Sequence, residues 1–112
     1  MPPPRLTSFL ICCLIALASL VATAPVLRND FLNWDDRDQI THNADFNPVR
    51  LERMITYWTG PYVGSLYPVS YNLFGLLSVL GRTGQPDAAG ATIDPFPFHL
   101  ASLLIHIASA WL

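Results

Sequence analysis

Residues 6–27 read LTSFLICCLIALASLVATAPVL, a stretch without a charged side chain that decides which folds the chain can adopt. Its 22 residues would reach about 33 Å as an α-helix, enough to cross a bilayer core of about 30 Å. Only 12% of the whole chain is charged, against roughly 25% in ordinary soluble domains. The sequence therefore predicts a transmembrane helix.

The same stretch also has features of a secretory signal peptide. Arg5 precedes it, and Ala22-Thr23-Ala24 fits a signal-peptidase site. The run is, however, longer than the usual apolar region of about 7–15 residues, and Pro25 would directly follow the cut. We favour a retained helix. Because all eight acidic residues follow Arg28, we expect the N-terminus in the cytoplasm and the acidic residues outside.

Charge and cysteine content exclude other classes of protein. The chain has six cationic residues, all Arg, and a net charge of −2. It has no basic patch to neutralise a phosphate backbone, which argues against a nucleic-acid partner. Cys12 and Cys13 are adjacent within the apolar run, where a disulfide would be strained and metal-ligand spacing is missing. We interpret both as apolar side chains.

Outward from the membrane run, an acidic stretch follows at Asn33–Asn43, NWDDRDQITHN. Asp35, Asp36 and Asp38 repel one another, and a cation or hydrogen-bond donors must offset this repulsion to hold all three ionised. Carboxylates in this arrangement can act as a general base or hold a divalent cation. The spacing does not fit an EF-hand. A catalytic site and a solvated turn both remain open from the residues alone.

Two further helices are expected in the external segment, residues 28–95. Asn47-Pro48 is a helix-start signal. The spacing of Leu51, Met54, Ile55 and Trp58 predicts an amphipathic helix over 48–59. A second apolar run, 69–80, is too short to span a bilayer and predicts a surface-lying, re-entrant or protein-packed helix.

Two other features of this segment have simple interpretations. The composition of residues 81–94 predicts a mobile polar loop. The aromatic residues of the segment are typical of a membrane-interface belt; they are Tyr57, Trp58, Tyr62, Tyr67 and Tyr71.

From Phe96 the chain is apolar again to residue 112. We expect this to be the start of a second transmembrane helix, truncated, so that the sequence is a piece of a longer protein. His99 and His106 are seven positions apart and would share a helix face. Without nearby carboxylates or Cys they do not predict a metal site. The predicted fold class is an all-α, helical integral membrane protein fragment.

The order of several motifs resembles that of a known group of proteins. The membrane helix is followed by Asn33-Trp34-Asp35-Asp36, Tyr67-Pro68-Val69-Ser70-Tyr71, Asp94-Pro95-Phe96 and the His99 to His106 segment. This order is similar to the amino-terminal part of bacterial polytopic membrane proteins that carry tetratricopeptide repeats. These in turn resemble the transmembrane and tetratricopeptide repeat-containing O-mannosyltransferases, which have the GT-C glycosyltransferase fold.

The resemblance implies a function and a set of site residues. A sugar would move from a polyprenyl-phosphate donor to a protein or glycan acceptor outside the inner membrane, in a multi-pass protein. Asp35 matches the family's catalytic base and Asp36 its paired acid, while Arg37, Tyr67 and His99 would contact substrate. No cofactor is certain, although the acids could hold a divalent cation.

The sequence also departs from the family's pattern. The Arg or Gln that is usual between the positions of Tyr67 and Pro68 is missing, Ser102 stands where Asn is usual, and no 34-residue repeat is present. The piece alone is not expected to be active. The alternative function is a non-catalytic membrane scaffold, whose external loop and downstream repeats assemble an envelope complex.

Overall fold

The computed structural model describes residues 4–88 and 90–111, and over these ranges the chain is all-α, with no strand. Three α-helices and several short helical turns follow one another; they are α1 (Pro4–Thr23), a 3₁₀ turn (Ala24–Arg28), a π turn (Arg37–Thr41), 3₁₀ turns at Leu51–Arg53 and Thr56–Trp58, α2 (Pro68–Leu80) and α3 (Phe96–Trp111). The predicted all-α class is confirmed. Two compact units make up the chain: a helical unit, Met1–Asn29 with His99–Leu112, and a loop unit, Asp30–Phe98.

In the helical unit, α1 and the 3₁₀ turn after it form an apolar segment, Arg5–Arg28, of 24 residues with a mean hydropathy of 2.5. It is long and apolar enough to cross a membrane, and among the described helices no other meets both conditions. A signal sequence near the N-terminus can meet the same two conditions. The α-helix ends at Thr23 rather than running to Leu27, because Pro25 has no N–H to continue the hydrogen-bond ladder.

The core of the loop unit is a cluster of aromatic rings. Phe46, Tyr57 and Tyr71 are each 1% exposed. The ring centroid of Tyr62 lies 4.7 Å from that of Tyr57 and 5.0 Å from that of Tyr71. The first pair is tilted and the second is edge-on, and aromatic pairs prefer such arrangements. The predicted interfacial belt is therefore wrong for Tyr57 and Tyr71, whose rings fill the interior.

Residues 48–59 do not form the predicted amphipathic helix. The two 3₁₀ turns found there leave Leu51, Ile55 and Trp58 more than half exposed, while Tyr57 is buried. Asn47 does not cap a helix, because its side chain bonds to Thr41 and Thr92 instead. Without that cap, short turns closed by threonine hydroxyls replace a continuous helix.

The helix expected over 69–80 is present as α2. Its inner face carries Tyr71, Gly75, Leu77 and Ser78, all buried. Gly75 leaves room for the Met54 side chain, whose Cε lies 3.3 Å from the position that a Cβ would take. The opposite face is exposed and apolar, with Val69, Leu76 and Leu80 among its residues.

The segment after α2 is more ordered than its composition predicts. Thr83 N donates to Thr92 O at 2.8 Å, and Asp94 N donates to Gly81 O at 2.7 Å. Ala91 and Ile93 are buried. Residues 81–94 are thus a closed loop held by backbone hydrogen bonds, because a few small and apolar residues anchor an otherwise polar segment.

Candidate functional site

A polar network lies beside the aromatic core. Asn43 Oδ1 accepts hydrogen bonds from Asp45 N at 2.9 Å and from the Tyr62 hydroxyl at 2.6 Å. The side chain of Asp45 is 9% exposed, and its Oδ2 is 3.4 Å from Arg53 Nε. Burial, and next the negative charge of Asp45, raise the pKa of the Tyr57 hydroxyl above its usual range. These groups support the fold around the site rather than open onto it.

The acidic stretch forms an unusual turn. Arg37 N donates to Trp34 O at 3.1 Å, and His42 N donates to Arg37 O at 2.8 Å, five residues apart. This is the hydrogen-bond pattern of a π turn. Such turns are rare in proteins, and many of those that occur lie at functional sites. The wider turn brings Arg37, Thr41 and His42 to the wall of the same cleft.

That cleft lies within the loop unit. Its volume is about 440 Å³. One wall comes from residues 30–42 and the other from the closed loop; the lining residues are Asp30, Phe31, Leu32, Asn33, Arg37, Thr41, His42, Asp87 and Ala91. Two carboxylates, a guanidinium, an imidazole and an amide therefore meet beside a few apolar side chains.

Hydrogen bonds hold both walls in place. Arg37 Nη1 lies 3.4 Å from Asn33 Oδ1, and Thr41 Oγ1 lies 3.1 Å from His42 Nδ1. On the loop wall, the Asp87 carboxylate accepts a hydrogen bond from Ala91 N at 2.8 Å. The polar groups of the cleft are thus positioned by their own neighbours.

The three acids of the stretch do not line this cleft. Asp35 and Asp38 are exposed, whereas Asp36 is partly buried and accepts a hydrogen bond from Leu32 N at 3.0 Å. Within residues 4–88 and 90–111, the carboxylate of Asp35 has no hydrogen bond or ion pair. Arg37 therefore enters the cleft while its acidic neighbours lie outside the lining.

The other two predicted substrate residues lie elsewhere. Tyr67 is 62% exposed and precedes α2 in the loop unit, outside the cleft lining. His99 belongs to the helical unit. There it lines a separate cavity of about 180 Å³ with His106, and both histidines share this side of α3 as their spacing predicts.

Several residues of the cleft were not predicted from the sequence. Asp30 precedes the acidic stretch, His42 lies near its end, and Asp87 comes from a segment far along the chain. The sequence signal for His42 was its place five positions after Arg37, which matters only in a π turn. Among the described residues, no group of three or more His, Cys, Asp or Glu side chains could hold a metal ion.

No family model, no curated protein and no solved structure matches this chain. The assignment of function therefore depends on the residues and their geometry.

Proposed function

We propose that this chain forms the amino-terminal part of a GT-C-type membrane glycosyltransferase. It would move a sugar from a polyprenyl-phosphate donor to a protein or glycan acceptor outside the membrane. Asp35 is the general base of this proposal. The observation that carries it is the exposed Asp35 carboxylate, which has no partner within the described ranges and remains available to accept a proton.

In the proposed reaction the Asp35 carboxylate acts in one step, as the proton acceptor. Asp35 takes the proton of an acceptor hydroxyl, whose oxygen bonds to the anomeric carbon of the donor sugar. The bond between that carbon and the phosphate oxygen breaks, and the polyprenyl phosphate leaves with the electron pair. Asp36 has a supporting role, because its hydrogen bond to Leu32 N fixes the turn that presents Asp35.

The position of Asp35 in the chain supports a membrane-bound donor. The apolar segment ends at Arg28, and Asp35 follows seven residues later. Seven extended residues span at most about 25 Å. If the segment crosses a membrane, Asp35 stays close enough to the headgroup region to meet a lipid-linked sugar from the membrane and a polar acceptor from water.

The test is sugar transfer by the full-length protein in membranes. Radiolabelled polyprenyl-phosphate hexoses are supplied, and label in protein and glycan fractions is counted. We expect Asp35→Asn to reduce transfer at least about 100-fold, in line with the loss of a general base. Asp38→Asn, an exposed acid of the same turn, is the matched control and should retain transfer. Retained transfer by the Asp35 variant would reject the proposal.

A second candidate function is a non-catalytic membrane scaffold. It is favoured by the exposed apolar face of α2, where Val69, Leu76 and Leu80 are more than half exposed. Exposed apolar surface of this kind is typical of contact with another protein or a membrane. Under this proposal, replacing Leu76 and Leu80 by Ser would reduce co-purification of envelope partners, and Asp35→Asn would leave it unchanged.

A further inference from the structure

We infer that the cleft lined by Arg37, His42 and Asp87 binds a neutral, hydroxyl-rich ligand, namely a sugar unit of an acceptor glycan. The inference deepens the proposed function, because it selects glycan over protein as the acceptor class. The size, lining residues and charge of the cleft support the binding of a sugar independently of the proposed function. Only the role of that sugar as acceptor rests on the proposed function.

The size and chemistry of the cleft fit a small polar ring. Its volume of about 440 Å³ lies within the range of about 300–1,000 Å³ for small-molecule sites. Carboxylates accept hydrogen bonds from hydroxyl groups, a guanidinium donates to them, and an amide does both. Phe31 adds an aromatic wall beside these polar groups, suited to the apolar C–H face of a sugar ring.

The charge of the cleft argues against an anionic ligand. Asp30 and Asp87 contribute two negative charges, and Arg37 contributes one positive charge. A phosphate would therefore meet a net negative wall, whereas neutral hydroxyl groups meet no such repulsion. This favours the acceptor over the phosphate of the donor lipid.

The cleft is also largely preformed. Its loop wall is anchored by the side chain of Asn47, whose Oδ1 accepts a hydrogen bond from Thr92 N at 3.1 Å. The guanidinium of Arg37 uses one of its five donors on Asn33, which leaves others for a ligand. A site whose walls are already ordered loses less conformational entropy when it binds a ligand.

The experiment measures sugar binding to the full-length protein in lipid nanodiscs. Saturation-transfer NMR is recorded with a panel of free mono- and disaccharides of glucose, galactose, mannose and N-acetylglucosamine. We expect at least one of them to receive saturation and to give a measurable Kd. Arg37→Ala and His42→Ala should each raise that Kd about tenfold or more, because hydrogen bonds to polar and charged groups are lost.

The matched control is Arg50→Ala, which removes an exposed arginine of the same unit outside the cleft and should leave the Kd unchanged. Circular dichroism confirms that each variant is folded. No binding by any sugar, or binding that neither cleft variant weakens, overturns the inference. So does preferential binding of Mg²⁺, or preferential, Arg37-dependent binding of inorganic phosphate or dolichyl phosphate.

Failure of the proposed function gives a different result. Loss of transfer in Asp35→Asn tests the proposed function, whereas weaker sugar binding in Arg37→Ala and His42→Ala tests the inference. Sugar binding in a protein without any transferase activity would retain the inference and reject the proposed function. Transfer to peptides alone, without sugar binding, would reject the inference and retain the proposed function.

Discussion

The side chain of Asn47 bonds to Thr92 across 45 positions of the sequence: its Oδ1 accepts from Thr92 N at 3.1 Å and from the Thr92 hydroxyl at 2.5 Å. The same amide donates through Nδ2 to Thr41 O at 2.6 Å. Thr41 belongs to one wall of the cleft, and Thr92 follows directly after the other. A single side chain therefore joins the π turn to the closed loop.

Asn47→Ala should loosen the loop wall and destabilise the loop unit. Several partly buried hydrogen bonds are lost together, and we expect the free energy of unfolding to fall by about 2 kcal/mol or more. Hydrogen–deuterium exchange of the full-length protein should show faster exchange over residues 81–94. The control is Asn29→Ala, at an exposed asparagine outside the unit. Unchanged protection of this loop in the Asn47 variant would contradict the role given to the amide.

Gly81→Ala should be destabilising while Gly84→Ala is tolerated. A Cβ on Gly81 would lie 2.8 Å from Asp94 O and 3.3 Å from Leu77 O, whereas one on Gly84 would meet nothing within 4 Å. Relief of such a backbone clash typically costs about 1–3 kcal/mol. Thermal unfolding of the two variants measures the difference. Equal midpoints would show that the close approach of Gly81 to Asp94 is not needed for the fold.

Tyr57→Phe and Tyr62→Phe should change the free energy of unfolding by different amounts. The Tyr62 hydroxyl donates to Asn43, so its removal should cost about 1 kcal/mol. The buried Tyr57 hydroxyl lacks a hydrogen-bond partner among the described residues, so its removal should change stability by less than about 0.5 kcal/mol or increase it. Denaturant unfolding at pH 7 compares them. A larger loss for the Tyr57 variant would contradict this assignment.

Alkaline pH should destabilise the loop unit through its buried tyrosines. Burial raises the pKa of Tyr57, Tyr62 and Tyr71 above the ordinary value of 10.0. Because the folded state then keeps protons that the unfolded state releases, their contribution is complete below pH 10 and is lost as the pH rises above it. Absorbance at 295 nm should show that these tyrosines ionise above pH 10, in the same pH range in which the loop unit unfolds. Tyr57→Phe should reduce the pH dependence.

Mass spectrometry of the mature protein tests the fate of the apolar segment. We expect peptides from residues 6–23 to remain attached to the mature chain, because the segment is long enough to span a bilayer and Pro25 follows the Ala22-Thr23-Ala24 pattern directly. A mature chain that begins at Pro25 or Val26 would instead identify a signal peptide. It would also remove the membrane argument for a lipid-linked donor.

The sequence predicted helices well where a sustained apolar run determined them. The runs at 6–27 and 69–80 both gave helices close to the expected bounds. The pattern of Leu51, Met54, Ile55 and Trp58 failed because its helix signal depended on Asn47 as a cap. That amide is engaged by Thr92, and a contact between residues so distant in sequence has no local signature.

The candidate site was predicted only in part, for the same reason. The acidic stretch was recognisable from its composition, but the π turn within it places Arg37 and His42, five residues apart, on one wall of the cleft, which α-helical spacing does not show. Asp87 reaches the cleft because residues 81–94 close into a loop over buried Ala91 and Ile93. Composition alone predicted mobility there, since it does not show which few residues will be buried.

The π turn at Arg37–Thr41 holds one more residue than an α-helical turn would between its bonded groups. Deleting Gln39 would place His42 four positions after Arg37, the spacing of an ordinary α-helical turn, and would shift Arg37 relative to the chain that follows His42. The cleft wall thus depends on the length of this segment as much as on its chemistry. A one-residue change in length would displace the wall without altering any of the side chains that form it.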